Sequence, residues 1–164
     1  MNPEVILILL ALLPALTGCS KEGQNVRRDI PTVLYIVRKG LQTGSLSADE
    51  DTSELTFTVY KAGYNEKSVE TILTVNEYAL DRFNENNGTN FLQLPSQYFS
   101  LDTGMIKLDN YTYSKQVKVT FDAEAIITNL RDGKRYAAPI SLGHISDGTV
   151  NIEKYYVIIY VRVP

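Results

Sequence analysis

The segment from Tyr155 to Val163 constrains the fold more than any other part of this sequence. It reads Tyr-Tyr-Val-Ile-Ile-Tyr-Val-Arg-Val, and only Arg162 in it carries a charge. A strand that faces water on one side alternates apolar and polar residues, whereas a strand covered on both faces does not. The segment is therefore predicted to be a central strand, and the rest of the chain must supply a covering layer on each of its faces.

Shorter segments show the alternation that is typical of half-buried strands. Glu54–Tyr60 and Val69–Val75 alternate in this way and flank a turn that contains Gly63, so we expect them to be antiparallel neighbours. Further strands are predicted at 32–37, 105–108, 116–121 and 136–142. The last of these is assigned to a sheet edge, because Pro139 has no N–H to donate to a ladder.

Two segments change to a helical period. Asn76 suits the N-cap of a helix that ends at Asn87, where Gly88 favours a left-handed stop. Asp122 can cap a second short helix. The stretch 40–53 is rich in Gly, Ser, Asp and Thr, and is predicted to be a surface loop. Many short strands with two small helices predict a mainly β chain, a β-sandwich, with one domain over residues 32–164.

The N-terminal segment has the pattern of an export signal. The apolar run 5–16 is followed by Leu16-Thr17-Gly18-Cys19, a pattern that resembles the lipobox of bacterial lipoproteins. Residues 1–18 are accordingly predicted to be a lipoprotein signal peptide, Cys19 the lipidated residue and 19–31 a flexible tether. The alternative is a buried N-terminal helix with an inert cysteine, which Pro14 would interrupt. Lipidation would place the chain at the outer membrane, on the cell surface or facing the periplasm.

The composition excludes several classes of function. The net charge is −3, so the chain lacks the basic footprint of a nucleic-acid-binding protein. Lys and Arg are mostly scattered, with adjacent pairs that include Arg27–Arg28 and Lys134–Arg135. His144 is the only histidine and is assigned to a loop, so neither a Ser-His-Asp triad nor a metal site of several His or Cys ligands is expected.

Glycoside hydrolysis needs two carboxylates in one cleft, one of them with a raised pKa. Most acidic residues of this chain lie in predicted turns, where solvent keeps them ionised: Asp102, Asp109, Asp132 and Asp147. The Asp-x-x-Asp-x-Asp-x-Glu run of chitinase-like enzymes does not occur. We therefore expect a protein that is not an enzyme and that has no catalytic residues, no metal and no cofactor.

The residues best suited to ligand binding are tyrosines in loops. A tyrosine ring offers a face to the C–H groups of a sugar, and nearby Asn or Asp can bond to its hydroxyls. Asp109, Asn110, Tyr111 and Tyr113 form such a group in one predicted loop. Tyr64-Asn65 form a second. The alternative is that these tyrosines only pack on sheet edges.

The order of these signals resembles a known family. The segments that carry the resemblance are Ala62-Gly63-Tyr64, the alternating 69–75, Phe83-Asn84, Gly88-Thr89, Leu94-Pro95, Tyr98 to Ile106, and Tyr136 with Pro139-Ile140. Together they are similar to the immunoglobulin-like N-terminal domain of unknown function of Bacteroidetes surface lipoproteins, over about residues 32–163. In that family the domain precedes carbohydrate-binding modules or glycosidases of polysaccharide-utilisation systems.

The resemblance implies an immunoglobulin-like β-sandwich in a non-enzymatic, lipid-anchored surface protein that supports glycan capture. Its partners would be the outer membrane, a glycan, and neighbouring surface lipoproteins or a transporter. Three alternatives stay open: a structural or protein-interaction domain, an adhesin-type subunit, and the N-terminal module of a truncated surface glycosidase.

Overall fold

The computed structural model describes residues 30–63 and 68–163, and its strands form two sheets. In the described residues the strands are β1 (Val33–Ile36), β2 (Gly40–Ser45), β3 (Thr52–Ala62), β4 (Val69–Val75), β5 (Leu92–Gln93), β6 (Phe99–Leu101), β7 (Met105–Leu108), β8 (Ser114–Asp122), β9 (Tyr136–Ile145), β10 (Thr149–Val150) and β11 (Tyr156–Arg162). The helices there are α1 (Glu77–Asn87) and α2 (Ala123–Asn129), with a 3-10 turn at Ser96–Tyr98.

The two sheets face one another across a shared core. The first sheet has the order β10-β1-β3-β8-β6, and the second has the order β2-β11-β9-β4-β7, with β5 also paired to β9. Buried side chains of both sheets form one cluster, which includes Ile36 and Val119 from the first sheet and Ile106 and Ile159 from the second. The predicted mainly β, sandwich-like fold with two helices is confirmed.

Strand β11 is covered on both faces, as its composition predicts. Val157 and Ile159 point into the core between the sheets. Ile158 points the other way, into a second apolar cluster where Leu80 and Phe83 of α1 pack. The strand lies between β2, to which it is parallel, and β9, to which it is antiparallel. The covering layers are thus the opposite sheet and helix α1.

Both helices begin at the predicted caps. The Asn76 side chain accepts a hydrogen bond from the Ala79 N–H at 3.1 Å, and the Asp122 carboxylate accepts one from the Ala125 N–H at 2.9 Å. Helix α1 ends at Gly88, whose φ of 61° is left-handed. Local sequence chemistry therefore sets these three boundaries.

The predicted loop over 40–53 is wrong in its first half. Residues 40–45 form β2, an edge strand whose backbone pairs with β11 from Val157 to Arg162. Its sequence, Gly-Leu-Gln-Thr-Gly-Ser, has almost no apolar alternation. The strand forms because β11 offers it backbone hydrogen bonds. Hydrophobic periodicity in the sequence cannot reveal such pairing.

One predicted pairing and one predicted edge position are also wrong. Strand β3 lies in the first sheet and β4 in the second, and their apolar faces meet the common core from opposite sides. Strand β9 is central, between β11 and β4, although it contains Pro139. The Asn76 N–H donates to the Pro139 carbonyl at 2.9 Å. At this position β4 has ended and α1 begins. The missing N–H of Pro139 therefore costs the β4–β9 ladder no hydrogen bond.

Candidate functional site

The predicted tyrosine cluster lies in the segment 109–113, which joins β7 of the second sheet to β8 of the first and is called the tyrosine loop below. Tyr111 is 83% exposed and Tyr113 is 50% exposed, while Asn110 is half-buried. The loop therefore presents aromatic surface to solvent where the chain crosses from one sheet to the other.

Asp109 holds the tyrosine loop in shape. Its Oδ1 accepts hydrogen bonds from the Tyr111 N–H at 2.9 Å and the Thr112 N–H at 2.8 Å. The Thr112 side chain lowers the pKa of this carboxyl most, followed by the two backbone N–H groups. Asp109 thus stays ionised near neutral pH and fixes the backbone under Tyr111.

A buried lysine supports the loop from below. Lys61 is only 2% exposed, and its Nζ donates a hydrogen bond to the Asp109 carbonyl. The same Nζ lies 5.5 Å from the centre of the Tyr113 ring, and the Lys61 N–H donates to the Tyr113 carbonyl at 2.7 Å. Tyr113 is therefore positioned against the lysine, which leaves Tyr111 as the more freely presented ring.

Sequence reasoning missed Lys61, although a signal for it exists. In β3 the residues Phe57, Val59 and Lys61 alternate on the buried face, so a lysine stands where an apolar residue is expected. A charge at a core position indicates a specific partner, because lysine is almost never fully buried unless it is paired.

The structure brings together Asp109, Asn110, Tyr111 and Tyr113, as the sequence suggests. The other predicted site residues, Cys19, Tyr64 and Asn65, lie outside the described residues. The tyrosine loop leads directly into β8, where Ser114 pairs with Tyr60. Tyr60 is half-buried on the outer face of the first sheet, and its ring centre lies 5.4 Å from that of Tyr35. A second pair of aromatic rings therefore lies close to the loop in the sheet.

The structure also bears on the chemistry considered from the sequence. His144 is an exposed residue of β9 rather than a loop residue, because β9 extends to Ile145. Across 30–63 and 68–163, no group of three His, Cys, Asp or Glu side chains is arranged to hold a metal ion. In the same residues, neither helix has the length and apolar character needed to cross a membrane.

One concavity contains several carboxylates. It has a volume of about 400 Å³ and lies beside the 3-10 turn and β6, with Asp51, Asp122 and Glu124 in its wall. The Asp122 carboxylate is occupied as the cap of α2. The concavity therefore offers polar surface in which one of the three acids already has a structural role.

Comparison with solved structures finds similar folds in Bacteroides proteins. A candidate carbohydrate-binding protein from Bacteroides ovatus is 18% identical, with a TM-score of 0.67 over 80% of this chain and 37% of that one. EndoBT-3987 of Bacteroides thetaiotaomicron, solved with a Man5GlcNAc product, is 19% identical, with a TM-score of 0.62 over 75% of this chain and 28% of that one.

A Bacteroides ovatus protein of unknown function is 12% identical, with a TM-score of 0.61 over 88% of this chain and 47% of that one. This chain thus corresponds to less than half the length of each of these three proteins. No curated protein sequence matches it.

Sequence comparison agrees with the structural matches. Residues 30–149, more than half of the chain, match the model of a family of N-terminal domains. The resemblance to an N-terminal domain of Bacteroidetes proteins, which the ordered sequence motifs suggest, is confirmed by this match together with the Bacteroides structures. The chain belongs to this family of N-terminal domains.

Proposed function

We propose that this chain is a non-catalytic β-sandwich module that supports glycan capture at the surface of a Bacteroidetes cell. The observation that carries the proposal is Tyr111, a ring that is 83% exposed on a loop fixed by Asp109 and Lys61. A large exposed aromatic ring on a fixed backbone is typical of a binding surface, because little freedom is lost when the ligand arrives.

The Tyr111 ring would stack on the C–H face of a sugar, while the Asn110 amide and the Asp109 carboxylate would bond to its hydroxyls. Tyr113 would form the adjoining wall, with its ring against Lys61. Because the loop is held by hydrogen bonds at both Tyr111 and Thr112, the ring would be in place before binding. The sandwich itself would be immunoglobulin-like, which its two facing sheets support.

The Bacteroides structures support a role connected with glycans. One is a candidate carbohydrate-binding protein, and the other was solved with a Man5GlcNAc product. Each is much longer than this chain, so its glycan contacts can lie in parts that have no counterpart here. The proposed role is accordingly to support and position glycan capture, together with neighbouring surface lipoproteins or a transporter, in a polysaccharide-utilisation system.

The glycan role is tested by titrating the purified chain with neutral oligosaccharides, beginning with Man5GlcNAc. Tyr111→Ala should weaken binding about three- to tenfold, which is the effect expected when one aromatic contact is lost. Tyr78→Ala is the matched control, since Tyr78 is 65% exposed on α1 and should not affect binding. If the two variants weaken binding equally, or if no glycan of a broad array binds, the tyrosine loop is not a glycan site.

Anchoring at Cys19 is a separate part of the proposal. It rests on the Leu16-Thr17-Gly18-Cys19 pattern. Expression of the wild type and Cys19→Ala in a Bacteroidetes host should give a lipid-sized mass increase and partitioning into detergent only for the wild type. An unmodified Cys19 in a chain that stays in the aqueous phase would contradict the anchor and the outer-membrane location.

A second candidate function, a protein-interaction module, is favoured by strand β2. It is the longest edge strand of the described part of the chain, and it carries neither a charge nor a proline in Gly-Leu-Gln-Thr-Gly-Ser. Edges that lack these protective residues can pair with an added strand. Thr43→Pro should abolish pulldown of a surface partner under this alternative, and it should leave glycan binding by the tyrosine loop unchanged.

A further inference from the structure

The loop between α2 and β9 concentrates positive charge. Residues 131–135, called the basic loop below, contain Arg131, Lys134 and Arg135 with the single acid Asp132, a net charge of +2. The whole chain has a net charge of −3. All of the loop's side chains are exposed, so this segment is a local cationic site on an otherwise acidic protein.

Asp132 compensates only one of the three cations. Its carboxylate accepts hydrogen bonds from the Lys134 N–H at 3.0 Å and the Tyr136 hydroxyl at 2.8 Å, and it forms an ion pair with the Lys134 Nζ at 3.2 Å. The Lys134 N–H lowers the pKa of Asp132 most, followed by the Tyr136 hydroxyl, and the carboxylate therefore remains ionised. Lys134 is neutralised within the loop, and the two arginines are not.

Arg135 is held in a fixed orientation. Its Nη2 donates to the Asn90 Oδ1 at 2.6 Å, and its Cζ lies 4.7 Å from the centre of the Phe91 ring. Phe91 is itself buried, with its ring centre 5.1 Å from that of Tyr160. A guanidinium that stacks on a locked ring is ordered before it meets a ligand, so less entropy is lost on binding.

The guanidinium of Arg135 keeps donors available. Of the five N–H donors of an arginine, Asn90 accepts one. Within the described residues, neither Arg131 nor Arg135 forms an ion pair with a carboxylate. Two uncompensated guanidinium groups, one of them fixed, favour an anionic partner with paired oxygens.

The surface around Arg135 is concave. Arg135 lies in the wall of two hollows of about 480 Å³ and about 440 Å³. The first also contains Arg131 together with the apolar surfaces of Leu130 and Tyr160, and the second contains Asn90. These volumes fall within the range of small-molecule sites, and an apolar wall beside a charged group suits a sugar ring that carries an acid.

We propose that the basic loop binds the oxyanion of an acidic oligosaccharide, a carboxylate or a sulfate ester, between Arg131 and Arg135. The inference rests on the proposed glycan role but uses a different surface from the tyrosine loop. A membrane headgroup is a poorer fit, because lipid-binding segments carry clusters of about four to eight cations, whereas this loop has two that are uncompensated.

The test is calorimetric titration of the full chain with three probes: a trimer of galacturonic acid, a sulfated galactose disaccharide and neutral maltotriose. The acidic probes should bind, with an affinity that falls as salt is added, and maltotriose should not. The double variant Arg131→Gln, Arg135→Gln should lower the affinity about tenfold or more, because charge-assisted hydrogen bonds are lost. The uronate and sulfate arms show which oxyanion is preferred.

Two variants separate charge from geometry. Arg135→Lys keeps the charge but loses the planar fork, so its affinity should lie between those of the wild type and the double variant. Arg38→Gln is the control, because it removes an exposed arginine far from the basic loop. Arg38 lies near Gly40, which pairs with Val157 at the opposite end of β11 from Tyr160, so binding should be unchanged. Equal urea midpoints for all variants would show that the fold is intact.

Three results would overturn the inference: no binding of either acidic probe, equal binding of maltotriose, or undiminished binding by the double variant. Binding to phosphatidylglycerol vesicles without binding to the acidic probes would instead assign the loop to a membrane surface. Tyr111→Ala distinguishes the two proposals, because it should weaken neutral glycans and leave the salt-dependent binding of the uronate trimer in place.

Discussion

Single residues decide how the tyrosine loop is presented. Lys61 reaches from β3 in the first sheet to the Asp109 carbonyl, at the end of β7 in the second. It also lies under the Tyr113 ring. One buried side chain thus links both sheets to the loop that carries Tyr111, and the stability of the sandwich is coupled to the shape of the candidate site.

Replacement of Lys61 by methionine keeps the apolar stem and removes the ammonium group. The free energy of unfolding should fall by about 1–3 kcal/mol, because the Asp109 carbonyl loses its donor and Tyr113 loses its cation. Urea denaturation measures this loss. Lys115→Met, an exposed position in β8, is the control and should change stability by less than about 0.5 kcal/mol. Equal losses at the two positions would contradict the role given to Lys61.

The pKa of Asp109 provides a second prediction. It lies below the ordinary value of 3.8, mainly because of the Thr112 side chain. A carboxyl whose pKa is lower in the folded state stabilises the fold above its unfolded pKa, and that contribution is lost as the pH falls through the folded value. The stabilising effect of Asp109 should therefore be complete above about pH 5 and decline below about pH 4.

Thr112→Val should raise the pKa of Asp109 toward 3.8 and so reduce this dependence on pH. Titration of the carboxyl carbons by NMR measures the change. Asp132 is the internal reference, because its pKa is lowered by Lys134 and Tyr136 and should not respond to the substitution. An unchanged pKa of Asp109 in Thr112→Val would contradict this role of the Thr112 side chain and assign the lowered pKa to the two backbone N–H groups and the Lys61 charge.

At the scale of elements, periodicity identified strands that bury side chains and missed a strand that only pairs backbone. Strands β4 and β7 match their predicted bounds, and both caps are where Asn76 and Asp122 indicate. Strand β2 was not predicted, because its side chains alternate in exposure but are mostly not apolar. The edge position predicted for β9 from Pro139 was wrong for a related reason. The proline lacks its N–H at a position where β4 has already ended, so no hydrogen bond between the strands is lost.

The start of β1 depends on a glycine. Gly148 has a φ of 105°, and a Cβ there would lie 2.9 Å from the Thr32 Cβ and still closer to the Thr32 carbonyl. That carbonyl accepts the Thr149 N–H at 2.9 Å, which joins β1 to β10. Gly148→Ala should therefore lower the unfolding free energy by more than about 1 kcal/mol, through backbone strain and a displaced Thr32.

Gly104→Ala is the matched control. Gly104 lies in the turn before β7, without a left-handed φ, and a Cβ there would have no described atom within 4 Å. This substitution should be neutral or should stabilise the fold by up to about 1 kcal/mol, because alanine restricts the unfolded chain. Thermal denaturation of the two variants in parallel measures the difference, and a Gly148→Ala variant as stable as the wild type would contradict the close approach of the two segments.

At the scale of the whole molecule, the sequence predicted the class of fold but not which strands are neighbours. The uniformly apolar 155–163 segment implied two covering layers, and the opposite sheet and α1 supply them. Alternation cannot distinguish a neighbour in the same sheet from a strand across the core, which is why β3 and β4 were paired wrongly. The candidate residues of the tyrosine loop are contiguous in sequence, so sequence analysis could group them. The residues around Arg135 are not contiguous, since Phe91 and Asn90 come close to it only through the fold.

Apart from β4 and β5, strands that are adjacent in sequence lie in opposite sheets, so neither sheet is formed from one continuous part of the chain. Ile36 from the first sheet and Ile159 from the second are fully buried in the same cluster. We therefore expect residues 31–163 to unfold in one cooperative transition, in which far-UV circular dichroism and tyrosine signals change together.

Ile36→Ala and Ile159→Ala should each lower the unfolding free energy by about 2–5 kcal/mol and shift both signals equally. Ile152→Ala, at a side chain that is 83% exposed, should shift neither. A variant that separates the two signals would show that the sheets fold independently and that the tyrosine loop joins two autonomous units.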